Sequence, residues 1–386
     1  MESNGMPESN RIHLGDCMEI MRSWPDNCVD AIVSDPPYEL GFMGKSWDNT
    51  GIAYSVPMWS EALRVLKPGG HLVAFSATRT YHRMACAIED SGFEIRDMVS
   101  WLYGSGFPKS LCVSKAIDRL NGDKRPVVGK RQTGIGTGKG STNFIGDGNR
   151  DVTSAASAAS AAWAGWGTAL KPAQEPVALA RKPLSEKTVA ANVLRWGTGA
   201  LNIEAGRIAS DDDCARKPSI VRDDSPAGFG KGAAMGRWPA NIILDQYAAG
   251  MMCAQEPGAS RFFYVAKPSG AERDMGMCDE AMVSGGEATG RKEGSAGLNS
   301  PRAGAGAGGK NKNFHPTVKP VDVMSYLIQL VTPPGGIVLD PFMGSGTTAI
   351  AAARLSHPYI GCEMSAEYIA LAEKRIAAET TQEKLL

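Results

Sequence analysis

Residues Ile337–Ala349 have the sequence IVLDPFMGSGTTA, in which a short apolar run is followed at once by a glycine turn and a helix-compatible segment. Gly344 and Gly346 allow a tight turn and a close approach of the backbone to a ligand, and the N–H groups of a following helix point to the same place. The spacing predicts a strand over Ile337–Leu339 and a helix over Thr347–Leu355, arranged around a nucleoside ligand.

An acidic residue follows at the distance that this interpretation needs. Tyr359–Cys362 is the next predicted strand, and Glu363 comes directly after it, 19 residues beyond Gly344. An acid at that position can accept hydrogen bonds from both ribose hydroxyls of a nucleoside. A dinucleotide-linked oxidoreductase shares such a glycine turn, so the turn alone leaves the class of enzyme open.

A second polar motif stands at the end of another apolar run. Val29–Ser34 (VDAIVS) is typical of a strand buried on both faces, and Asp35-Pro36-Pro37-Tyr38 follows it directly. An Asp at the carboxyl end of a central parallel strand faces the ligand crevice. The two prolines stiffen the exit and leave the Pro36 carbonyl free to accept, while Tyr38 offers a flat ring for stacking on a base. Two acceptors beside an aromatic ring suit a planar amino group.

Strands and helices alternate around both motifs, which predicts an α/β fold with a mostly parallel sheet. Glu175–Arg181, in the middle of the chain, is expected to pair back into that sheet. The remaining predicted strands are Arg11–Leu14, His71–Ser76, Phe93–Tyr103, Trp238–Leu244 and Arg261–Lys267, and the remaining helices are Met58–Leu66, Thr80–Ser91, Val321–Thr332 and Ala366–Ala378.

Charge and glycine content divide the chain into three parts. The 41 basic and 41 acidic side chains give no net charge, which at first argues against a nucleic-acid partner. By segment, however, the net charge is −4 over 1–120, +6 over 121–314 and −2 over 315–386, and 30 of the 45 glycines lie in the middle segment. Basic side chains that could neutralise phosphates are therefore concentrated in the glycine-rich middle.

Several classes of protein are disfavoured by what the sequence lacks. No apolar run approaches the ~18 residues that a bilayer span needs, and the first residues do not resemble a secretory signal. None of the eight cysteines forms a C-x-x-C pair, which disfavours a zinc site and a disulfide framework. We expect a cytoplasmic protein without a metal site and without a membrane partner.

The two motifs resemble those of the DNA amino-methyltransferases, which move a methyl group from S-adenosylmethionine to an exocyclic nitrogen of a base. DPPY is similar to that family's catalytic motif, and FMGSG (Phe342–Gly346) to its F-x-G-x-G cofactor loop. DPPY comes first here, which is the order of the family's β group. The resemblance implies a Rossmann-like S-adenosylmethionine-dependent methyltransferase fold, circularly permuted, in which 1–120 is the catalytic half and 315–386 the cofactor-binding half. It also implies a glycine-rich, basic target-recognition insert at 121–314, of which 175–183 is expected to be a strand of the catalytic sheet.

The resemblance also implies roles for single residues. Asp35, Pro36, Pro37 and Tyr38 would be catalytic, with the target base flipped out of the duplex and stacked on Tyr38. The segments Gly15–Cys17 and His315–Pro320 (HPTVKP) match further family segments near the cofactor, Leu66–Gly70 (LKPGG) matches a structural turn, and Gly106–Lys109 could be either a loop near the base or an ordinary turn. The implied cofactor-binding residues are Asp16, Cys17, Thr317, Lys319, Asp340, Pro341, Phe342, Gly344, Gly346, Thr347, Thr348 and Glu363.

The implied activity is methylation of adenine N6 in duplex DNA, because DPPY goes mainly with adenine in the family and SPPY with cytosine. Cytosine N4 remains the first alternative, and a non-catalytic DNA-binding relative a remote one. The motif order opposes methyltransferases that act on RNA or protein. A homodimer and a cognate restriction nuclease are left open as partners. The unranked candidates for contact with DNA are Arg195, Arg207, Arg216, Arg222 and Arg237.

Overall fold

The structure is a computed structural model, described for residues 5–41, 46–104, 110–132, 149–208, 236–266, 283–284, 310–311, 313 and 318–383. Its contacts divide the chain into two compact units. The first, which we call the sheet unit, consists of residues 1–104, 174–278 and 317–386. The second, which we call the small unit, consists of residues 105–173 and 279–316.

The described residues form thirteen strands and ten α-helices. The strands are β1 (Arg11–Leu14), β2 (Val29–Ser34), β3 (Leu66–Phe75), β4 (Glu94–Leu102), β5 (Val127–Gln132), β6 (Asn149–Thr153), β7 (Gln174–Arg181), β8 (Ile242–Asp245), β9 (Tyr264–Ala266), β10 (Val283–Ser284), β11 (Lys310–Asn311), β12 (Val338–Asp340) and β13 (Tyr359–Glu363). The helices are α1 (Cys17–Arg22), α2 (Val56–Val65), α3 (Tyr81–Asp90), α4 (Val113–Asn121), α5 (Ala158–Ala162), α6 (Val189–Trp196), α7 (Gln246–Gln255), α8 (Val321–Val331), α9 (Thr347–Arg354) and α10 (Ala366–Glu383).

Nine strands of the sheet unit form one sheet, in the order β1-β13-β12-β2-β3-β7-β4-β8-β9. Every neighbouring pair in it is parallel except the two pairs that β7 makes with β3 and β4. The predictions of a mostly parallel α/β sheet and of a strand at Glu175–Arg181 that pairs into it are therefore confirmed. Because β12, from near the end of the chain, lies beside β2, the permuted order is also seen in the sheet.

Helices cover both faces of this sheet. The helices α1, α2 and α3 enclose one apolar layer, with Met21, Trp59 and Ile88 at its centre, and α8, α9 and α10 enclose the other, with Leu327 and Ile350. Every residue of β2 is buried, including the polar Asp30 and Ser34, as its mostly apolar sequence predicts for a central parallel strand. The carboxyl ends of the parallel strands therefore meet at one edge of the sheet, where the segments that follow them lie together.

The LKPGG segment differs from its expected role as a turn. Helix α2 does end at Val65, but Leu66–Gly70 already forms the first half of β3, pairing through Leu66 with Val29. The register of the pairing between β2 and β3 shifts between Val29 and Ala31. A Cβ on Gly70 would lie 2.9 Å from the carbonyl oxygen of Asp30, so the strand can approach this closely only with glycine.

The two weaker strand predictions in the middle of the chain are correct in position but too long. The strand predicted over Trp238–Leu244 begins only at Ile242, and the one predicted over Arg261–Lys267 begins at Tyr264, after a short 3-10 helix at Ala259–Phe262. Within the predicted insert at 121–314, β7, β8 and β9 thus belong to the main sheet, while β5, β6 and α5 belong to the small unit.

The small unit has a separate arrangement, in which β5 and β6 form an antiparallel pair. A buried carboxylate organises it: Asp118 accepts hydrogen bonds from Arg125, from the Ser157 hydroxyl and from the backbone N–H of Ala156. Because a buried charge is costly unless it is paired and hydrogen-bonded, this network stabilises the unit. Among the residues that the structure describes, no helix has both the length and the apolarity of a membrane span.

Candidate active site

The two motifs meet at the carboxyl edge of the sheet. Strands β2 and β12 are parallel neighbours, with Ile32 opposite Leu339, so that Asp35 follows one strand where Asp340 ends the next. The Ser34 hydroxyl donates a hydrogen bond of 2.5 Å to Oδ1 of Asp340 and joins the two strand ends directly. The structure therefore brings together the predicted catalytic motif and the predicted cofactor loop.

Asp340 orders the cofactor loop through contacts within the chain. Its carboxylate accepts from the Ser34 hydroxyl, from Oγ1 of Thr348 at 2.5 Å and from the backbone N–H of Phe342 at 2.9 Å. Burial raises the pKa of Asp340 to about 6, although these three hydrogen bonds act in the opposite direction. The side chain is 2% exposed, so its direct role is to hold the turn between β12 and α9.

The glycines of this loop adopt the conformation that their sequence spacing predicts. Gly344 and Gly346 have φ angles of 54° and 81°, in the left-handed region that glycine occupies most easily. A Cβ on Gly346 would lie 2.7 Å from the Cβ of Ala372, so the loop also packs tightly on α10. The other predicted loop residues, Pro341, Thr347 and Thr348, are buried between these elements.

Glu363 lies beside the loop, at the end of β13. One carboxylate oxygen accepts from the backbone N–H of Gly344 at 2.9 Å, and the other from the N–H of Ser365 at 2.9 Å. Burial raises the pKa of Glu363, against the effect of these backbone hydrogen bonds. Because a carboxylate has about four acceptor positions, both oxygens can accept further hydrogen bonds.

Asp16 and Cys17 lie at the neighbouring strand end. The backbone N–H of Gly15 donates to the carbonyl of Glu363 at 3.0 Å, which brings the start of α1 next to β13. The Asp16 carboxylate caps α1 by accepting from the N–H groups of Met18 and Glu19. Cys17 is buried, and this burial raises the pKa of its thiol to about 12. Thr317 lies outside the described residues, as do Gly106–Lys109, Arg216 and Arg222.

Four polar side chains form a compact group on the other side of the edge, which we call the Asp35 cluster: Asp35, Tyr38, Glu175 and Lys319. The ammonium of Lys319 lies 2.7 Å from Oδ2 of Asp35 and 3.3 Å from Oε2 of Glu175. The Tyr38 hydroxyl donates to the same Oε2 of Glu175 at 2.7 Å. The side chains of Lys319, Asp35 and Glu175 are 8%, 19% and 20% exposed, so these charges interact in a largely dry environment.

The cluster fixes the protonation of its members. Burial raises the pKa of Asp35, and the neighbouring Lys319 charge limits that rise. Burial alone would lower the pKa of Lys319, but Asp35 and Glu175 together carry it above its usual value. Burial and the two carboxylates raise the pKa of Tyr38 well above its usual value, so its hydroxyl stays protonated and can only donate to an ionised neighbour.

One oxygen atom of the Asp35 cluster accepts no hydrogen bond from the described residues. Oδ1 of Asp35 is buried and has no hydrogen-bond partner among the described residues. Buried acceptors in folded proteins nearly always have a donor, so an unpartnered one at a strand end is an observation that calls for a ligand. Pro36, which follows, is buried and has no N–H that could donate to it.

Aromatic rings accompany the Asp35 cluster. The Lys319 ammonium lies 5.0 Å from the centre of the Tyr38 ring, so one face of that ring is already occupied by a cation. Trp101 stands opposite Glu175 on β4, its ring 5.4 Å from that of Tyr103, and its Nε1 is a second buried polar atom without a partner among the described residues. Burial and the Glu175 charge raise the pKa of Tyr103 to about 12.

Two further residues that support the site are missed by reasoning from sequence. Glu175 opens the predicted strand EPVALAR, but no motif marks its carboxylate. Arg375 of α10 is fully buried and donates to the carbonyl of Ser345 at 2.5 Å and to the Thr347 hydroxyl at 3.3 Å. These hydrogen bonds attach the cofactor loop to α10. Burial of an arginine in a predicted helix is the kind of signal that only a tertiary structure provides.

The candidate DNA-contacting arginines within the described residues lie on the sheet unit, and each has a partner. Arg195 pairs with Glu186 and Arg207 with Glu204, and the Arg207 guanidinium also lies 5.5 Å from the ring centre of Trp238. Arg237 lies 4.9 Å from the ring centre of Phe262. Their roles toward DNA stay predictions.

Comparisons with known proteins agree with these motifs. A family model described as DNA methylase matches residues 29–123 and 289–374. The chain is 45% identical over 65 residues to the type II methyltransferase M2.DpnII of Streptococcus pneumoniae and 50% identical over 58 residues to the type II methyltransferase M1.MboII of Moraxella bovis. These stretches cover 17% and 15% of this chain and 24% and 22% of the relatives, so the chain matches about a quarter of the length of the curated relatives.

Two solved structures follow a similar course over nearly the whole chain. The cytosine-N4-specific PvuII DNA methyltransferase is 14% identical, with 98% of this chain and 92% of that chain covered and a TM-score of 0.46. The crystal structure of M1.HpyAVI is 16% identical, with 95% and 98% covered and a TM-score of 0.43. The family match at both motifs and the curated relatives together support the N6-adenine/N4-cytosine DNA methyltransferase family for this chain.

Proposed function

We propose that the protein transfers a methyl group from S-adenosylmethionine to the exocyclic N6 of adenine at a specific site in duplex DNA. The observation that carries the proposal is the unpartnered, buried Oδ1 of Asp35, an acceptor held next to the glycine loop of β12. An amino group that approaches this acceptor meets the cofactor side of the same sheet edge.

The residues present fit S-adenosylmethionine. The turn from Asp340 to Gly346 leads into the N-terminus of α9, and Gly344 and Gly346 give it the left-handed backbone that such a turn needs. Glu363, with acceptor positions left on both oxygens, would hold the ribose hydroxyls, and Asp16 stands at the adjoining strand end. When bound, this cofactor would supply an electrophilic methyl group on a positively charged sulfur.

Asp35 is proposed to make the amino group of the base a competent nucleophile. The lone pair of an exocyclic amine is delocalised into the ring, and an N–H bond donated to Oδ1 of Asp35 and another to the Pro36 carbonyl favour a pyramidal nitrogen with a localised lone pair. The contribution of these residues is placement of acceptors in a desolvated site. After the N–C bond forms, the nitrogen loses one proton, and Oδ1 already lies in position to accept it.

Lys319 and Tyr38 are proposed to keep Oδ1 of Asp35 ionised and in place for the base. Lys319 holds Asp35 through Oδ2 and leaves Oδ1 for the substrate, and its positive charge favours the ionised carboxylate. Tyr38 would stack on the flipped base with the ring face that Lys319 does not cover. Asp35, not Ser34, would be the first residue of the motif, because the Ser34 hydroxyl is committed to Asp340.

DNA is the proposed partner, and recognition of its sequence is assigned to the segment 121–314. The net charge of +6 in that segment supports this assignment, since lysine and arginine supply the contacts to phosphates. Because this excess of positive charge is modest, DNA binding should weaken less steeply with rising salt concentration than it does for a strongly basic protein.

The test is methyl transfer by wild-type protein and by Asp35→Ala. We expect radiolabelled methyl to reach duplex DNA with the wild-type protein and the rate to fall at least about a hundredfold in the variant. Binding of S-adenosylhomocysteine, measured by calorimetry, should survive, because Asp35 does not contact the glycine loop. Near wild-type transfer by the variant would refute the assigned role of Asp35.

The choice of base needs a second measurement. Expression in a methylation-deficient host, followed by methylation-aware long-read sequencing and nucleoside mass spectrometry, gives the modified base and its sequence context together. N6-methyladenine is the expected product. N4-methylcytosine would support the alternative that the same family offers, and the absence of any new mark would contradict both.

A further inference from the structure

Glu175 places a second carboxylate in the Asp35 cluster, and nothing in the proposed chemistry so far requires it. It enters from β7, the antiparallel strand of the sheet, opposite Trp101 of β4. A carboxylate this close to Asp35 in a largely buried site is unfavourable by charge repulsion, and the Glu175 charge indeed acts to raise the pKa of Asp35. Glu175 therefore either has a purely structural role or contributes to the chemistry of the site.

Its contacts show what it acts on. Oε2 of Glu175 accepts a hydrogen bond from the Tyr38 hydroxyl at 2.7 Å. The same oxygen lies 3.3 Å from the ammonium of Lys319, which is 2.7 Å from Oδ2 of Asp35. The ammonium is thus shared between two carboxylates that come from different strands. One oxygen atom of Glu175 fixes both the ring beside Asp35 and the cation that pairs with it.

The charge count of the cluster explains why such sharing matters. Asp35 and Lys319 alone form a neutral pair, which would offer an approaching amine little electrostatic gain. With Glu175 the group carries one net negative charge, and positive charge develops on the amine nitrogen as its bond to carbon forms. In a site of low effective dielectric constant, an uncompensated charge near that nitrogen stabilises the transition state more than the ground state.

We propose that Glu175 is a positioning residue for the proposed methyl transfer, which draws the Lys319 ammonium partly away from Asp35 and anchors the Tyr38 hydroxyl. Asp35 then presents Oδ1 to the target amine as a carboxylate that is only partly neutralised. This inference rests on the function proposed above and adds a residue that the sequence motifs do not contain.

The groups that face Glu175 within the described chain are few. Asp35 and Tyr38 approach from the end of β2, Lys319 from the segment before α8, and Tyr103 from the end of β4. Tyr38 and Tyr103 remain protonated near neutral pH, since the pKa of each is raised by burial first and by the carboxylates second. On the acid side of neutral pH, Asp35 is therefore the group whose titration a change at Glu175 should move, and on the basic side it is Lys319.

The experiment compares Glu175→Gln and Glu175→Asp with Glu94→Gln. Gln keeps an acceptor for Tyr38 and Lys319 but removes the charge, and Asp keeps the charge on a shorter side chain. Glu94→Gln is the matched control, because it neutralises a glutamate of the adjoining strand β4 that pairs with Arg181 and has no contact with the cluster. Each variant is tested for kcat, for KM toward both substrates and for the pH dependence of kcat.

We expect Glu175→Gln to lower kcat about tenfold with little change in KM, because the lost charge acts in the transition state. The acid limb of its pH profile should move to lower pH, since the carboxylate that raises the pKa of Asp35 is gone. Glu175→Asp should keep the wild-type acid limb, and Glu94→Gln should keep both kcat and the limb. A purely structural role for Glu175 would not move the acid limb downward while the plateau falls.

A second readout does not depend on turnover. Glu175 and Lys319 should be coupled in a double-mutant cycle of urea unfolding, with Glu175→Gln costing less in a Lys319→Met background than in the wild type. Wild-type kcat and an unmoved acid limb in Glu175→Gln, or zero coupling to Lys319, would overturn the inference while the proposed function stands. Wild-type protein that transfers no methyl to DNA would overturn the proposed function and this inference with it.

Discussion

Replacing Gly346 with Ala tests whether the cofactor loop is fixed by its packing on α10. The substitution has two costs. The first is conformational: Gly346 has a φ of 81°, and a non-glycine residue in the left-handed region costs about 1–2 kcal/mol. The second is steric: the new Cβ would lie 2.7 Å from the Cβ of Ala372 and 3.1 Å from its Cα, and overpacking of this kind costs about 1–3 kcal/mol.

The chain supplies a control that separates these two costs. Gly335 has a φ of 70°, and a Cβ added there would meet nothing within 4 Å. Gly335→Ala therefore measures the conformational cost alone, and Gly346→Ala should lower the free energy of unfolding by about 2–5 kcal/mol against about 1–2 kcal/mol for the control. Urea unfolding followed by circular dichroism measures both changes.

A compensating variant makes this prediction sharper. Ala372→Gly removes the nearest atom of the clash, at a helix cost of about 1 kcal/mol of its own. In that background, Gly346→Ala should cost less than in the wild type and approach the cost of Gly335→Ala, because only the 3.1 Å approach to the Cα of residue 372 remains. Affinity for S-adenosylhomocysteine should fall in Gly346→Ala and recover in the double variant. If Gly346→Ala and Gly335→Ala lowered the free energy of unfolding equally, packing on α10 would not hold the loop and the argument would fail.

Two further changes test the buried charges. Lys319→Met leaves Asp35 and Glu175 together without their cation, and we expect a loss of about 3–5 kcal/mol at pH 7. Because the carboxyl pKa then rises further, that loss should shrink toward pH 5, and equal losses at both pH values in urea unfolding would contradict this. Asp340 has its pKa raised to about 6 from 3.8, so its contribution to stability is full below about pH 4 and is lost as pH rises through 6, by about 3 kcal/mol. Asp340→Asn should remove that part of the pH dependence, and an unchanged slope of unfolding free energy between pH 4 and 6.5 would rule it out.

The parts of the fold that sequence predicts are those in which local pattern and burial agree. The run Val29–Ser34 is mostly apolar because β2 is buried on both faces, and the glycine spacing after Leu339 has one structural use, a turn between strand and helix. The LKPGG segment misleads because proline and glycine normally end regular structure. Here they begin a strand at an irregular register, where the close approach to Asp30 needs glycine.

The site is predicted less completely, for a reason that lies in its contacts. Asp35 and Lys319 each stand in a recognisable motif, but their 2.7 Å contact joins residues 284 positions apart, and no local pattern encodes it. Glu175 has no motif at all, and its role depends on the antiparallel register of β7. Asp340 was expected to bind the cofactor, and its carboxylate is found in contact with Ser34, Thr348 and Phe342. That expected role stays a prediction.

The position of β12 between β13 and β2 has a consequence for synthesis of the chain. The hydrogen bond from Ser34 to Asp340 spans 306 positions, so one edge of the buried strand β2 has no neighbouring strand until most of the chain has been synthesised. Contacts this distant in sequence form slowly, and an open apolar edge invites association with other chains. A nascent chain that stops before β12 has Asp35 but not the glycine loop, so an interrupted translation product lacks half of the site on which the proposed methyl transfer depends. If the chain is cut in the glycine-rich sequence between residues 133 and 148, the two fragments should show the proposed methyl transfer only after they rejoin in one sheet.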